Sequence, residues 1–161
     1  MMRLALVLAL IVSTLSFPAI ANRIDKVIRA QVVQVPDGDS LTIVIDGEMV
    51  RVRLAEIDAP EGQQPFSVRS RQSLFDMCFW TEAELAFITK DQYGRRLARV
   101  RCNGIDVNSE QVKRGLAWVY EDTKDTRLQE LQAEARAAGR GLWGSDSPIS
   151  PVAPWEWHDF Y

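Results

Sequence analysis

The chain has 161 residues, 47% of them hydrophobic and 25% charged, which fits one ordinary globular domain plus whatever is removed or trails off. Lys and Arg number 19 against 22 Asp and Glu, a formal net charge of −3, and loss of a leader carrying Arg3 makes the remainder more acidic still. That balance excludes a protein that grips nucleic acid through bulk charge, which is normally basic. Any nucleic acid would be handled at a local site and released readily.

The first stretch, MMRLALVLALIVSTLSFPAIA, has a positive start at Arg3, an apolar run from Leu4 to about Leu15, and a small-x-small ending at Ala19-Ile20-Ala21. It reads as a signal peptide over residues 1–21, cleaved before Asn22. The alternative is an uncleaved membrane anchor, but the run is short for a span of roughly 20 residues. No cysteine follows it to carry a lipid. The expectation is an exported protein, periplasmic or secreted, with no stable membrane association after cleavage. Its domain would cover 22–144 and a Pro/Trp-rich tail 145–161.

Arg29 to Val35 and Leu41 to Ile45 are β-branched runs, and Val50 to Ile57 alternates apolar with charged residues, so three strands are expected. Asp46-Gly47 between the second and third signals a tight hairpin. After Pro65, the spacing of Ser67, Ser70, Leu74 and Met77 with Cys78 predicts a first helix. Glu84 to Lys90 and Arg96 to Arg101 predict two more strands around the turn DQYGR. A short second helix is expected from Val107 to Gly115, with Asn108 as its cap. A third should begin at the capping box Thr126-Arg127-Leu128-Gln129, bury Leu128, Leu131 and Ala135, and stop at Gly139 and Gly141. Pro148, Pro151 and Pro154 argue against regular structure in the tail. Five strands with helices between and after them suggest a β plus α single domain, a small partly closed barrel with helices packed on it.

Outside the cytosol two thiols tend to oxidise, so a disulfide between Cys78 and Cys102 is expected, against the alternative of two separate buried thiols. With no CxxC or HxxxH spacing, these cysteines and the single His158 do not suggest a metal site.

The charges of the hairpin region are harder to dismiss. If it folds symmetrically about Asp46-Gly47, Arg53 lies opposite Ser40 and beside Asp39, and Asp58 and Glu61 follow at the same open end. Grouped carboxylates repel one another unless a cation or proton relieves them, and their hard oxygens suit calcium or magnesium. A guanidinium beside such an ion matches two phosphate oxygens. Each part also has a plainer reading: PDGDS as a turn in which Asp37 and Asp39 bond their own backbone, Arg51 and Arg53 as solvated strand residues, Glu61 as a surface group.

The motifs DGDS, VRLAEIDAPE, DQYGRRLARV, DVNSEQVKRGLAWVY and RGLW, in that order from about Ala30 to Trp143, resemble the staphylococcal nuclease family. The resemblance implies a five-stranded OB-type barrel with three packed helices. It also implies calcium-dependent cleavage of DNA and RNA phosphodiesters that leaves a 3′-phosphate. Matched motif by motif, it implies calcium ligation by Asp39, Asp58 and the backbone carbonyl of Ala59, with Asp37 as an outer-shell acid. Glu61 falls on the family's catalytic glutamate, and Arg53 and Arg95 on its two arginines. Ala59 stands where the family often has threonine, but a main-chain contact tolerates that. Tyr93 matches a position near bound nucleotide, and Trp118 or Tyr120 could stack on a base or simply pack. Gln92 replaces a lysine of the family prototype, which removes a charge from the substrate groove.

The expected substrates are therefore DNA and RNA, the cofactor Ca2+, and the state a monomer. Two other readings compete: a non-catalytic OB-fold nucleic-acid-binding module, and an exported structural protein docking through Trp155, Trp157, Phe160 and Tyr161. For these aromatics packing against the barrel is preferred, and Arg136 and Arg140 read as a solvated helix face.

Overall fold

The computed structural model describes residues 27–145 and 150–157. The leader, Pro148, His158, Phe160 and Tyr161 lie outside the described residues. Five long strands form the framework: β1 (Val27–Gln34), β2 (Ser40–Ile45), β3 (Glu48–Leu54), β5 (Glu82–Lys90) and β6 (Arg96–Cys102). Three two-residue strands join them, β4 (Ile57–Asp58), β7 (Ile105–Asp106) and β8 (Trp118–Val119). The helices are α1 (Ser67–Cys78), α2 (Val107–Lys113), α3 (Thr126–Ala137) and the single turn α4 (Pro154–Trp157), with a 3-10 turn at Gly141–Trp143.

The strands run in the order β3-β2-β1-β5-β6, and β3 pairs with β6 to close the barrel. That closing pair is parallel while the other barrel pairs are antiparallel. Closure removes the open edges a five-stranded sheet would expose. The fold is the expected β plus α OB-type barrel with three helices of seven or more residues against it. Inside lie Val32, Leu41, Ile43, Val52, Leu54, Leu85 and Val100, met from outside by Leu74, Val112 and Leu128 of the three helices. Cys78 and Cys102 form the expected disulfide, which ties the end of α1 to β6.

Several local expectations need correction. Asn108 does not cap α2: Asp106 does, accepting from the Ser109 amide. Asn108 is instead fully buried, accepts from the Val100 amide and donates to the Ala55 and Ala98 carbonyls, so it ties α2 to the barrel. The capping box at Thr126 gives way to Asp125, which accepts from the Arg127 and Leu128 amides. A carboxylate one residue earlier accepts from two of the orphan N–H groups and, being charged, also complements the helix dipole. The tail is not devoid of regular structure, because Pro154 opens α4, a position where proline's missing N–H costs nothing. Arg136, although exposed, lies 4.2 Å over the Trp143 ring and 5.2 Å over that of Trp118 rather than standing in solvent.

Candidate active site

The register of the hairpin sets the site. Ser40 pairs with Arg53 across β2 and β3, which brings Arg53 beside Asp39 at the open end of the hairpin. The Asp37–Asp39 loop is held by packing that only glycine permits: a Cβ on Gly38 would stand 1.8 Å from Ser70 Oγ and 2.8 Å from Ala59 Cβ. The Gly38 carbonyl accepts from Gln111 Nε2 at 2.6 Å, and Asp37 Oδ1 accepts from the Asp39 amide at 3.0 Å. Two helices thus fix one loop. On the far side β4 pairs with β8, Asp58 against Trp118, which sets Tyr120 next to the cluster.

Arg53 is 5% exposed and sits between the acids. Its Nη1 donates to Asp39 Oδ1 at 2.8 Å, its Nη2 to Asp58 Oδ1, and Glu61 Oε1 lies 3.8 Å from Nη1. Asp39 Oδ2 accepts from the Ala59 amide at 2.6 Å. Burial raises the carboxyl of Asp39 well above its usual range; Arg53 opposes this, and repulsion from Asp37 and Asp58 adds to it. Burial likewise raises Asp58, against the pull of Arg53 and with repulsion from Glu61. For Arg53 the two aspartates outweigh burial and hold the guanidinium charged. Burial and the Asp58 charge also raise the Tyr120 phenol, whose Oη stands 3.5 Å from Arg53 Nη2. Among the described residues no three His, Cys, Asp or Glu side chains group as a ready metal cage, and Arg53 is the partner of both buried aspartates.

A groove of about 320 Å³ opens beside Arg53 and is lined by Glu56, Tyr93, Arg95 and Tyr120 among others. Arg95 reaches it from the turn after β5, where its Nε donates to Asp91 Oδ2 at 2.6 Å and its guanidinium lies over Tyr93. Tyr93 is 75% exposed and open to a ligand. Tyr120 has one ring face covered by Trp155, and half-buried Trp118 packs edge-on against Trp143. A recess of about 390 Å³ along residues 62–69 is larger, but Arg69 is the sole charged group in its lining.

The structure therefore gathers Asp39, Arg53, Asp58 and Glu61 into one cluster, with Asp37 bonded to the Asp39 amide and Arg95 in the lining of the adjoining groove. Gln64 and Gln111 escaped the sequence reading. Gln111, fully buried four residues after Val107, was the findable signal, since an amide on an apolar helix face needs buried partners.

The profile of the family described as staphylococcal nuclease homologue matches residues 51–145. The chain belongs to the staphylococcal nuclease family. A family relative from Haemophilus influenzae, described as an uncharacterized endonuclease, is 42% identical over 123 residues, covering 75% of this chain and 69% of its own. The micrococcal nuclease of Shigella flexneri is 34% identical over 163 residues, covering 94% and 89% respectively. Protein ParB of Escherichia coli is 36% identical over 169 residues, covering 98% and 90%.

Proposed function

We propose that this member of the staphylococcal nuclease family is an exported, calcium-dependent endonuclease. It would hydrolyse DNA and RNA phosphodiesters with low sequence specificity and leave 3′-phosphates. The observation that carries the reading is one buried guanidinium bridging two buried carboxylates, with Glu61 3.8 Å away and 39% exposed. The relatives named endonuclease and micrococcal nuclease support it.

The donor set fits a hard divalent ion: Asp39 and Asp58 offer carboxylate oxygens whose ionisation burial opposes, and Glu61 stands at the rim. Asp39, Asp58 and the Ala59 carbonyl would hold calcium, with Asp37 supporting Asp39 through its amide. Bound calcium supplies Lewis acidity toward a phosphate oxygen. Arg53 and Arg95, which both line the groove, clamp the phosphate and stabilise charge growing on its oxygens, worth a few kcal/mol per donor in comparable sites. Glu61 orients the attacking water and accepts its proton, directly or through a second water. The bond from phosphorus to the 5′-oxygen breaks, and that oxygen becomes the 5′-hydroxyl by taking a proton from solvent water. Arginine, which stays charged at any working pH, stabilises the departing charge rather than donating the proton.

The test is cleavage of single-stranded DNA and of RNA by the chain from Asn22, with calcium and then with chelator. Calcium-dependent cleavage that falls by orders of magnitude in Glu61→Gln is expected. Retention of nucleic acid without cleavage, by folded protein under every divalent ion, would establish the binding-module alternative.

A further inference from the structure

The tail segment from Ser150 to Trp157 meets the site from two sides. Gln64 Nε2 donates to the Val152 carbonyl at 2.7 Å, while Oε1 of the same amide accepts from the Glu61 backbone N–H at 3.2 Å. Three residues on, Trp155 stacks on Tyr120 with ring centroids 5.4 Å apart and planes 21° from parallel. Tyr120 Oη is the group within 3.5 Å of Arg53 Nη2. Between these contacts Ala153 and Pro154 are buried, and Trp118 meets Trp155 edge-on at 6.1 Å, so the segment is packed as part of the domain.

We propose that residues 150–157 form a positioning strap that sets Glu61 through Gln64 and Arg53 through Tyr120. The inference rests on the nuclease reading above. An amide whose NH2 is fixed on the Val152 carbonyl holds its oxygen toward the Glu61 amide, because the two ends of the group turn together. Trp155 does the same for Tyr120 by occupying one face of its ring. Gln64 and Trp155 are positioning residues: they act through the Glu61 backbone and the Tyr120 phenol. The strap supplies order at the two groups that orient water and bind phosphate, and in such sites a misplacement of about 1 Å costs on the order of a hundredfold in rate.

Full-length Trp155→Ala, Trp155→Phe, Gln64→Leu and the double variant Gln64→Leu/Trp155→Ala are compared with wild type on single-stranded DNA in calcium. Thermal melting of each confirms that it is folded. Trp155→Ala and Gln64→Leu should each lower kcat on the order of tenfold, within the 10–100-fold range of outer-shell partners, and leave KM within about twofold. Trp155→Phe, which keeps a ring on Tyr120, should recover most of the loss. The double variant should fall short of the product of the singles, because both release one strap. Unchanged kcat in both single variants overturns the proposal. So does a higher kcat in Trp155→Ala, which would make the tail a cover over the Tyr120 face. Hydrogen exchange at the Glu61 amide gives a readout independent of activity: Trp155→Ala should speed it. If wild type cleaves nothing, the nuclease reading fails, and exchange at Glu61 alone decides whether the strap positions that residue.

Discussion

Arg53 and the two aspartates share one problem, which is that all three charges are buried. A guanidinium between carboxylates relieves part of the burial cost, yet both aspartates are still pushed up, so the folded chain holds their protons more tightly than the unfolded chain does. The sign of the pH effect follows by linkage. Stability from such groups is fully present below the unfolded pKa and lost as pH rises through the raised folded values. In chelator, wild type should lose stability from the ordinary aspartate range toward neutrality. Asp58→Asn, with one carboxylate fewer, should lose less over the same interval, although it also removes one partner of the buried Arg53 pair. Calcium should raise the melting point of wild type more than that of the variant, because an ion that binds only the folded state stabilises by about 2.7 kcal/mol at a hundred times its Kd. Melting curves of both proteins across pH, with and without calcium, provide the check. Asp91 and Asp125, whose shifts have the opposite sign, cancel in the difference between the two proteins. Equal pH dependence in wild type and variant would sink the account. These residues were legible in the sequence because Asp39, Arg53, Asp58 and Glu61 lie within one hairpin and its exit, where register about Asp46-Gly47 suffices to place them.

At the scale of elements, α3 shows where sequence patterns mislead. The box at Thr126 and the carboxylate at Asp125 both satisfy the rules for a helix start, and the choice falls to a partner remote in sequence. Arg99 on β6 pairs with Asp125 and with Glu56, and Thr123 Oγ1 donates to Glu56 Oε1 at 2.7 Å, so Asp125 joins the helix to the barrel while capping it. Asp125→Ala should cost about 1 kcal/mol, the usual worth of a cap, whereas Thr126→Ala should change stability by a few tenths at most. Burial works against ionised Asp125, but the Leu128 amide and Arg99 outweigh it and hold its pKa low. Its contribution is therefore present above the unfolded aspartate pKa and lost as pH falls through the lowered folded value. The gap between wild type and Asp125→Ala should close in acid, as denaturant melts at neutral and acidic pH would reveal. A gap that stays constant would assign the cost to packing instead. The same remoteness hid Gln111, whose partner Gly38 is 73 residues away, and Gln64, whose partner Val152 is 88 away. Periodicity finds a helix and its apolar face, but it does not find the polar atom across the core that a buried amide will meet.

For the whole molecule, the barrel and its helices could be read ahead of the structure because strand count, turn chemistry and helix period agreed with one another. Closure through the parallel β3–β6 pair could not, since nothing local in either strand specifies a partner across the barrel. The acidic balance, −3 for the full chain, bears on how a polynucleotide would be held. A basic groove that tracks many phosphates releases many counterions, and its affinity collapses as salt rises. Here the cations lining the groove are Arg53 and Arg95, with Gln92 beside them. Single strands lose affinity with a slope of about −0.7 per phosphate contacted in log K against log salt, so two arginines imply a slope of about −1.4. Binding of a single-stranded oligonucleotide in chelator, titrated across salt concentration, measures it. Arg95→Ala should roughly halve the slope while the fold stands, since Arg95 is part-exposed at a turn and its partner Asp91 lies on that same turn. A slope several times steeper, indifferent to Arg95, would mean that the strand is held along a second basic path, and the view of a local site on an acidic molecule would have to be abandoned.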